Sequence, residues 1–207
     1  MIKNIIFDLG VVLLDVDYSK TIEAFGRLGL ANPADAFSKA KQDEFFRAYE
    51  RGHISDKAFL KGLAERMDHE DLSDIEEAWC AMLGSFPNEK FHLIKKLAAD
   101  YRLFILSNTN SLHQKRFENT IEKAFGWNAF SSLFDYIGYS HKIGERKPSR
   151  EAFEKIIQEN DLEMKYTLFI DDTVEHVESA KKIGLNAVHY SGEKNLSVEL
   201  EPFLTTS

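Results

Sequence analysis

The chain has a single cysteine, Cys80, so it can form no internal disulfide and assemble no multi-thiolate metal site. Within the apolar run Ala78-Trp79-Cys80-Ala81-Met82-Leu83 that thiol reads as a small core residue. No apolar stretch approaches the roughly 20 residues of a membrane-spanning helix. No signal-peptide pattern precedes Ile5 either, since one lysine and a short apolar run are too little for one. The expected location is therefore cytoplasmic, with no membrane partner. Positive charge is in deficit: 26 Lys and Arg stand against 34 Asp and Glu, a formal charge of -8. No basic stripe is present to meet a nucleic-acid backbone, which argues against that partner. A small anionic substrate is not excluded, because local rather than net charge decides its binding. Internal repeats and low-complexity segments are absent.

What is present is an ordinary globular composition, 43% hydrophobic and 29% charged over 207 residues. That length suits one compact domain with a substantial insertion, or two small domains. The most informative stretch is Lys3-Asn4-Ile5-Ile6-Phe7-Asp8-Leu9-Gly10-Val11-Val12. A run this apolar predicts a strand buried on both faces of a parallel sheet, ending in an acid and a tight-turn glycine. Leu168-Phe169-Ile170-Asp171-Asp172-Thr173 repeats the grammar and ends in two acids. In parallel sheets, ligands sit outside the carboxyl ends of the strands. Three carboxylates meeting at one such edge would make a Mg2+ site.

Between these runs the pattern changes twice. Ser19 or Asp17 is a candidate N-cap for a helix through Thr21–Phe25, which Gly26, Gly29 and Asn32-Pro33 then interrupt. From Ala34 to about Leu83, apolar residues recur at helical spacing: Ala36-Phe37, Phe45-Phe46-Tyr49, Phe59-Leu60-Leu63 and Ile75-Trp79-Leu83. Ser55-Asp56-Lys57 opens one helix after Gly52 ends another. Residues 16–86 are thus expected to be an all-α insertion, with Phe86-Pro87 marking the return. From Asn88 onward helices alternate with strands. The helices are expected at Phe91–Ala99, Ser111–Ala124 (or a long loop), Ser149–Gln158 and Val174–Ile183. The strands are expected at Arg102–Asn108, around Tyr136–Tyr139, at the run ending in Asp171-Asp172, and near Ala187–Tyr190. The tail from Leu196 is polar and is expected to fray. The predicted fold class is α/β: a doubly wound, Rossmann-like parallel sheet (1–15 and 87–207) with an inserted helical cap (16–86).

Four polar groups stand at or just past strand ends: Asp8, Ser107-Asn108, Lys147 in Gly144-Glu145-Arg146-Lys147-Pro148, and Asp171-Asp172. Pro148 disfavours a helical conformation before it and so presents Lys147 from a loop. Gathered in one crevice, these groups would form an anion site around a Mg2+ ion, which prefers oxygen ligands. The chemistry that suits them is attack by Asp8 on phosphorus, giving an aspartyl-phosphate. Carboxylate and phosphate repel by about 4 kcal/mol at ~4 Å and an effective dielectric near 20. Uncompensated, that would slow the reaction by roughly 10³. A divalent ion and Lys147 reverse the sign, while Ser107 and Asn108 donate to phosphate oxygens.

In order and spacing, Phe7-Asp8-Leu9-Gly10-Val11, Leu106-Ser107-Asn108, Lys147-Pro148 and Asp171-Asp172 resemble the four motifs of the haloacid dehalogenase superfamily, over nearly the whole chain. The helical insertion after the first strand resembles that superfamily's α-helical cap. More narrowly, Asp15 and Asp17, Glu50-Arg51-Gly52-His53-Ile54-Ser55-Asp56 and Ser107-Asn108-Thr109-Asn110-Ser111-Leu112-His113 are similar to a branch containing a bacterial α-D-glucose-1-phosphate phosphatase. The resemblance implies Asp8 as nucleophile, with Asp8, Asp172 and the Gly10 carbonyl on Mg2+. Asp171 would act through water or hold Lys147.

Two positions depart from that pattern. Gly10 stands where family phosphatases usually carry a second aspartate, the acid that protonates the leaving group. Loss of such a group costs typically 10²–10⁴-fold. A sugar hemiacetal phosphate, with its better leaving group, would suffer less. His176 replaces a usual asparagine and reads either as a hydrogen-bonding support or as a helix-surface residue. Asp15 and Asp17 are replacement acids or helix caps, Arg51 a substrate contact or a surface residue, and His113 has no assigned role. The expected function is a Mg2+-dependent phosphatase of a small phosphorylated metabolite such as a sugar phosphate. The alternatives are a metal-independent 2-haloacid dehalogenase and a catalytically weak binding or regulatory protein. The oligomeric state is left open.

Overall fold

A computed structural model describes residues 1–40 and 43–204, with the side chains of 37–40, including that of Phe37 in the predicted helical pattern, and the last residues of the tail, 205–207, outside the described residues. Its sheet has five parallel strands: β1 (Asn4–Phe7), β2 (Arg102–Ser107), β3 (Tyr136–Tyr139), β4 (Thr167–Asp171) and β5 (Asn186–His189). Their order is β3-β2-β1-β4-β5. The first run of the sequence is thus the central strand, flanked by β2 and β4. The chain reverses its direction of travel across the sheet between β1 and β4, so their carboxyl ends border the crevice where such sheets bind ligands. Phe7 pairs with both Ile105 and Ile170, which brings Asp8 level with Asp171.

Among the described residues six helices lie between β1 and β2, the first five being α1 (Tyr18–Arg27), α2 (Pro33–Ala40), α3 (Glu44–Glu50), α4 (Asp56–Met67) and α5 (Leu72–Cys80). Then follow α6 (Asn88–Leu97), α7 (Ser111–Phe125), α8 (Trp127–Ser131), α9 (Ser140–Ile143), α10 (Arg150–Glu159), α11 (Val174–Lys182) and α12 (Leu196–Leu200). None is long and apolar enough to cross a membrane.

Alternation along the strands feeds two cores. Ile5, Phe7, Leu103, Ile105, Leu168 and Ile170 pack with Ile94 of α6, Phe117 and Ile121 of α7 and Phe130 of α8. Ile6, Phe104, Leu106 and Phe169 pack on the opposite face with Phe153 and Ile156 of α10 and Ala180 of α11. Helices cover both faces, as double winding requires. The insertion has its own core, where Phe46, Tyr49, Phe59 and Trp79 meet. Tyr49 stacks on Phe59 at a centroid distance of 3.9 Å. Each large side chain fully buried there contributes about 1.5–3 kcal/mol. Cys80 lies in this core, as its sequence context predicted, and burial pushes its thiol up to about 12.

Capping residues set most helix starts: Asp17 for α1, Ser55 for α4 and Asn110 for α7 each accept a backbone N–H of the first turn. The choice at the first helix is thereby settled for Asp17, whose carboxyl is held below its usual value by hydrogen bonds from Ser19. Gly26 does not interrupt α1, which runs on to Arg27 before the chain turns at Gly29 with φ +95. The segment after Ser111 is helix rather than loop. The tail is a further correction. Leu196 and Leu200, a turn apart on α12, are buried against the sheet core, and two apolar residues at that spacing outweigh the polar average.

Candidate active site

The carboxyl ends of β1, β2 and β4 and the loop after α9 converge on one cleft of about 350 Å³. Lys147 is its pivot. Its ammonium donates to Asp8 Oδ1 and to Asp171 Oδ2, each at 2.6 Å, and its side chain is 0% exposed. A buried lysine persists only when its charge is answered, and two carboxylates answer this one. Burial alone would lower its affinity for a proton; Asp171 and Asp8 more than reverse that and hold it charged.

The three acids differ in what they have left to give. Asp171 is fully committed. Besides Lys147, it accepts from Thr173 N at 2.8 Å and from His176 Nδ1 at 3.0 and 3.1 Å. Burial pushes its carboxyl up, but Lys147 and His176 outweigh that and hold it below the usual carboxylate range. Asp8 keeps Oδ2 free of hydrogen bonds, and the Asp172 carboxylate accepts only from its own backbone N–H among the described residues. Burial raises the Asp8 carboxyl to about 7 against the pull of Lys147, and burial followed by the charge of Asp171 raises Asp172.

One oxygen from each of Asp8, Asp171 and Asp172 lies within 4.8 Å of the others. An all-oxygen set at that spacing fits a hard divalent cation such as Mg2+. The Asp172 carboxylate and the remaining lone pair of Asp8 Oδ1 are the ones that could hold it, which leaves Asp8 Oδ2 for another role. Gly10 lines the same cleft, and its carbonyl accepts from Val12 N at 2.6 Å, which leaves one lone pair. That contact closes a γ-turn about Val11, whose φ of +63 is uncommon for a β-branched residue.

Ser107 and Asn108 play different parts. The Ser107 side chain makes no hydrogen bond to the described residues although the residue is only 4% exposed. A buried hydroxyl on a cleft wall with no internal partner is a ready donor for a bound anion. Asn108 is instead clasped to the backbone of Lys147: its Nδ2 donates to Lys147 O and its Oδ1 accepts from Lys147 N, both at 2.8 Å. Its side chain holds the lysine loop in place, with one amide hydrogen to spare. Ser140 braces the neighbouring loop by accepting from Thr109 N and donating to Thr109 O, both at 2.9 Å.

The sequence model of the haloacid dehalogenase-like hydrolases matches residues 5–190, a stretch that contains every residue of this cluster. The chain belongs to the haloacid dehalogenase-like hydrolases. It is 30% identical, over 89% of each chain, to a D-ribitol-5-phosphate phosphatase of Bacteroides thetaiotaomicron. Among solved structures, the hydrolase resembles a Bacteroides thetaiotaomicron family enzyme in complex with magnesium and inorganic phosphate (TM-score 0.84, 28% identity, 96% of this chain and 98% of that one). It also resembles a predicted family hydrolase of Porphyromonas gingivalis (TM-score 0.88, 28% identity, all of both chains).

The structure decides between alternatives that the sequence left open for several side chains of this hydrolase. Asp15 accepts from Ser85 Oγ at 2.8 Å and does not line the cleft, and Asp17 is spent as the cap of α1. Arg51 pairs with Glu44 at 3.2 Å, outside the cleft. Its neighbour Glu50 is the one that enters: Phe46 and Glu50, one turn apart on α3, both line the cavity, and Glu50 accepts from Arg146 Nε at 2.7 Å. Both residues sit in stretches singled out above, but an ion pair 96 positions apart leaves no local pattern to read. His176 supports Asp171 rather than lying on an open helix surface. His113, on the cleft wall, contacts Trp79 O through Nε2 at 3.1 Å; burial pushes it down to about 4, so it is neutral and donates.

Proposed function

We propose that this hydrolase is a Mg2+-dependent phosphatase of a small phosphorylated sugar or polyol, working through an aspartyl-phosphate on Asp8. One observation carries the reading: a nucleophile-ready Asp8 shares a fully buried Lys147 with Asp171, beside the unspent Asp172 and the unpartnered Ser107 hydroxyl. The proposed roles follow. Asp8 Oδ2 attacks phosphorus as the P–O bond to the substrate alcohol breaks, the departing alkoxide taking its proton from water, and Lys147 offsets the charge that gathers between nucleophile and phosphate. Ser107 donates to a phosphate oxygen. Asn108 fixes the backbone of Lys147 and, with its remaining amide hydrogen, can reach the phosphate. Asp8, Asp172 and the Gly10 carbonyl would hold Mg2+, and Asp171 would orient Lys147. When bound, the ion supplies positive charge against the phosphate oxygens. Water then cleaves the acyl-phosphate and returns Asp8 to its carboxylate.

The sheet core is proposed to comprise 1–15 and 87–207 and the cap 16–86. The bridge between Val16 and Leu83, which ties the two connections together, supports this division. A relative that acts on ribitol 5-phosphate and a structural neighbour that holds magnesium and phosphate support the substrate class. A metal-independent dehalogenase would have no use for the unspent carboxylate of Asp172 beside Asp8. The test is phosphate release from a panel of phosphomonoesters. Turnover should require Mg2+ and vanish in Asp8→Asn; survival of activity after either change would sink the reading.

A further inference from the structure

The insertion is fastened to the sheet domain at several points. Asp56 accepts from Ser111 Oγ and, at 3.0 Å, from Lys115; Glu77 pairs with Arg116 at 2.5 Å; Trp79 O accepts from His113. Asp56 and Glu77 lie off the cleft. The contact between Glu50 and Arg146 differs, because both residues line the cavity beside the phosphate-site cluster. Their side chains are only 28% and 19% exposed. The pair uses one nitrogen and one oxygen, so Glu50 Oε1 and both Nη groups of Arg146 make no hydrogen bond to the described residues.

From this arrangement we infer that Glu50 and Arg146 read the hydroxyl groups of the leaving group, and that the substrate is the monophosphate of an uncharged, polyhydroxylated compound. The inference rests on the phosphatase reading above. A hydroxyl both donates and accepts, and a carboxylate beside a guanidinium offers one acceptor and two donor groups at a single place. Because the two charges cancel, the pair holds no net charge to recruit a second anion. The other carboxyl groups on the wall, Asp8, Asp172 and Glu175, add no positive charge to attract one. Phe46 and Trp79 supply apolar surface for the C–H faces of a polyol chain. A second phosphate or a carboxylate on the leaving group would meet no unpaired cation among the described residues that line this cleft.

The test compares kcat/KM, with Mg2+, for a pentitol monophosphate, a pentose bisphosphate and p-nitrophenyl phosphate, whose leaving group has no alcohol hydroxyls. The wild type should favour the pentitol monophosphate over the bisphosphate. In Glu50→Gln and Arg146→Met, the ratio of pentitol phosphate to p-nitrophenyl phosphate should fall about 10- to 100-fold, the scale of a lost charge-assisted hydrogen bond. A ratio unchanged in both variants would reduce the pair to a fastening and overturn the inference. So would a wild-type preference for the bisphosphate, a result that needs no variant to fold. No hydrolysis of any of the three would defeat the phosphatase reading itself, and this inference with it.

Discussion

Lys147 Nζ stands 2.6 Å from Asp8 Oδ1, with none of the lysine side chain exposed to water. Removing that charge leaves Asp8 and Asp171 facing each other without compensation. Lys147→Met is therefore expected to destabilise the protein by about 3–5 kcal/mol, the usual cost of breaking a buried pair. The melting temperature should drop on the order of 10 °C for a chain of this size. Calorimetry of variant and wild type in the same buffer reads this directly, and phosphate release should be lost with it.

Magnesium should stabilise the protein more at pH 8 than at pH 6. Burial raises Asp8 from 3.8 to about 7 against the opposing pull of Lys147. The folded, metal-free protein therefore holds a proton that the unfolded chain has shed. That contribution is fully present below pH 3.8 and is lost as pH rises through about 7. A cation at the same oxygens must displace the proton, so its binding strengthens as the proton leaves. Thermal shifts at a fixed Mg2+ concentration, measured at both pH values, would be equal if Asp8 took no part.

His113 has the opposite sign. Burial depresses it from 6.5 to about 4. Its neutral form contributes stability that is present above pH 6.5 and is lost as pH falls through about 4. The difference amounts to roughly 3 kcal/mol. Urea unfolding from pH 7 to pH 4 should show this slope in the wild type and a flatter one in His113→Gln.

Gly52→Ala should disturb the seating of the insertion. The residue has φ +73, and an added Cβ would stand 2.3 Å from the His141 carbonyl oxygen. Backbone must move, and a loss of about 2 kcal/mol or more is expected. Faster proteolysis of the connections around Val16 and Leu83 would report the same change.

Gly10→Asp should raise activity. A Cβ at position 10 meets only Val16 Cγ2 at 3.5 Å and Asp8 Oδ2 at 3.9 Å, both ordinary contacts, and no left-handed φ stands in the way. A carboxyl placed there would supply the missing acid, worth up to roughly 10²–10⁴-fold on alkyl phosphates. An unchanged kcat would mean that leaving-group protonation does not limit the reaction.

The centre of the sheet was legible because β1, β2 and β4 each carry an apolar run that reaches a polar residue at its carboxyl end. That pattern places Asp8, Ser107 and Asp171 at strand ends without any knowledge of tertiary contacts. Helix starts were legible where a side-chain cap is local, as at Asp17 and Ser55. What escaped depends on pairing across the fold. In Glu50-Arg51-Gly52 the sequence left Arg51 as a substrate contact or a surface residue and did not single out Glu50, yet Glu50 lines the cleft while Arg51 pairs with Glu44. Asn108 read as a phosphate donor, and the pairing of its amide with the Lys147 backbone, a partner 39 positions away, was not foreseen. The role of His176 became clear only once the turn after β4 brought it over Asp171.

One helix belongs to two interiors at once. Leu112, in the first turn of α7, packs among the aromatic side chains of the insertion, while Phe117 and Ile121 of the same helix pack against the sheet. The boundary of the cap in space is therefore not its boundary in sequence. A recombinant exchange of residues 16–86 for the corresponding segment of another hydrolase would bring in a foreign aromatic cluster with a native leucine lodged in it. Modularity in this protein begins inside α7, and a transplant that keeps specificity has to carry that first turn along.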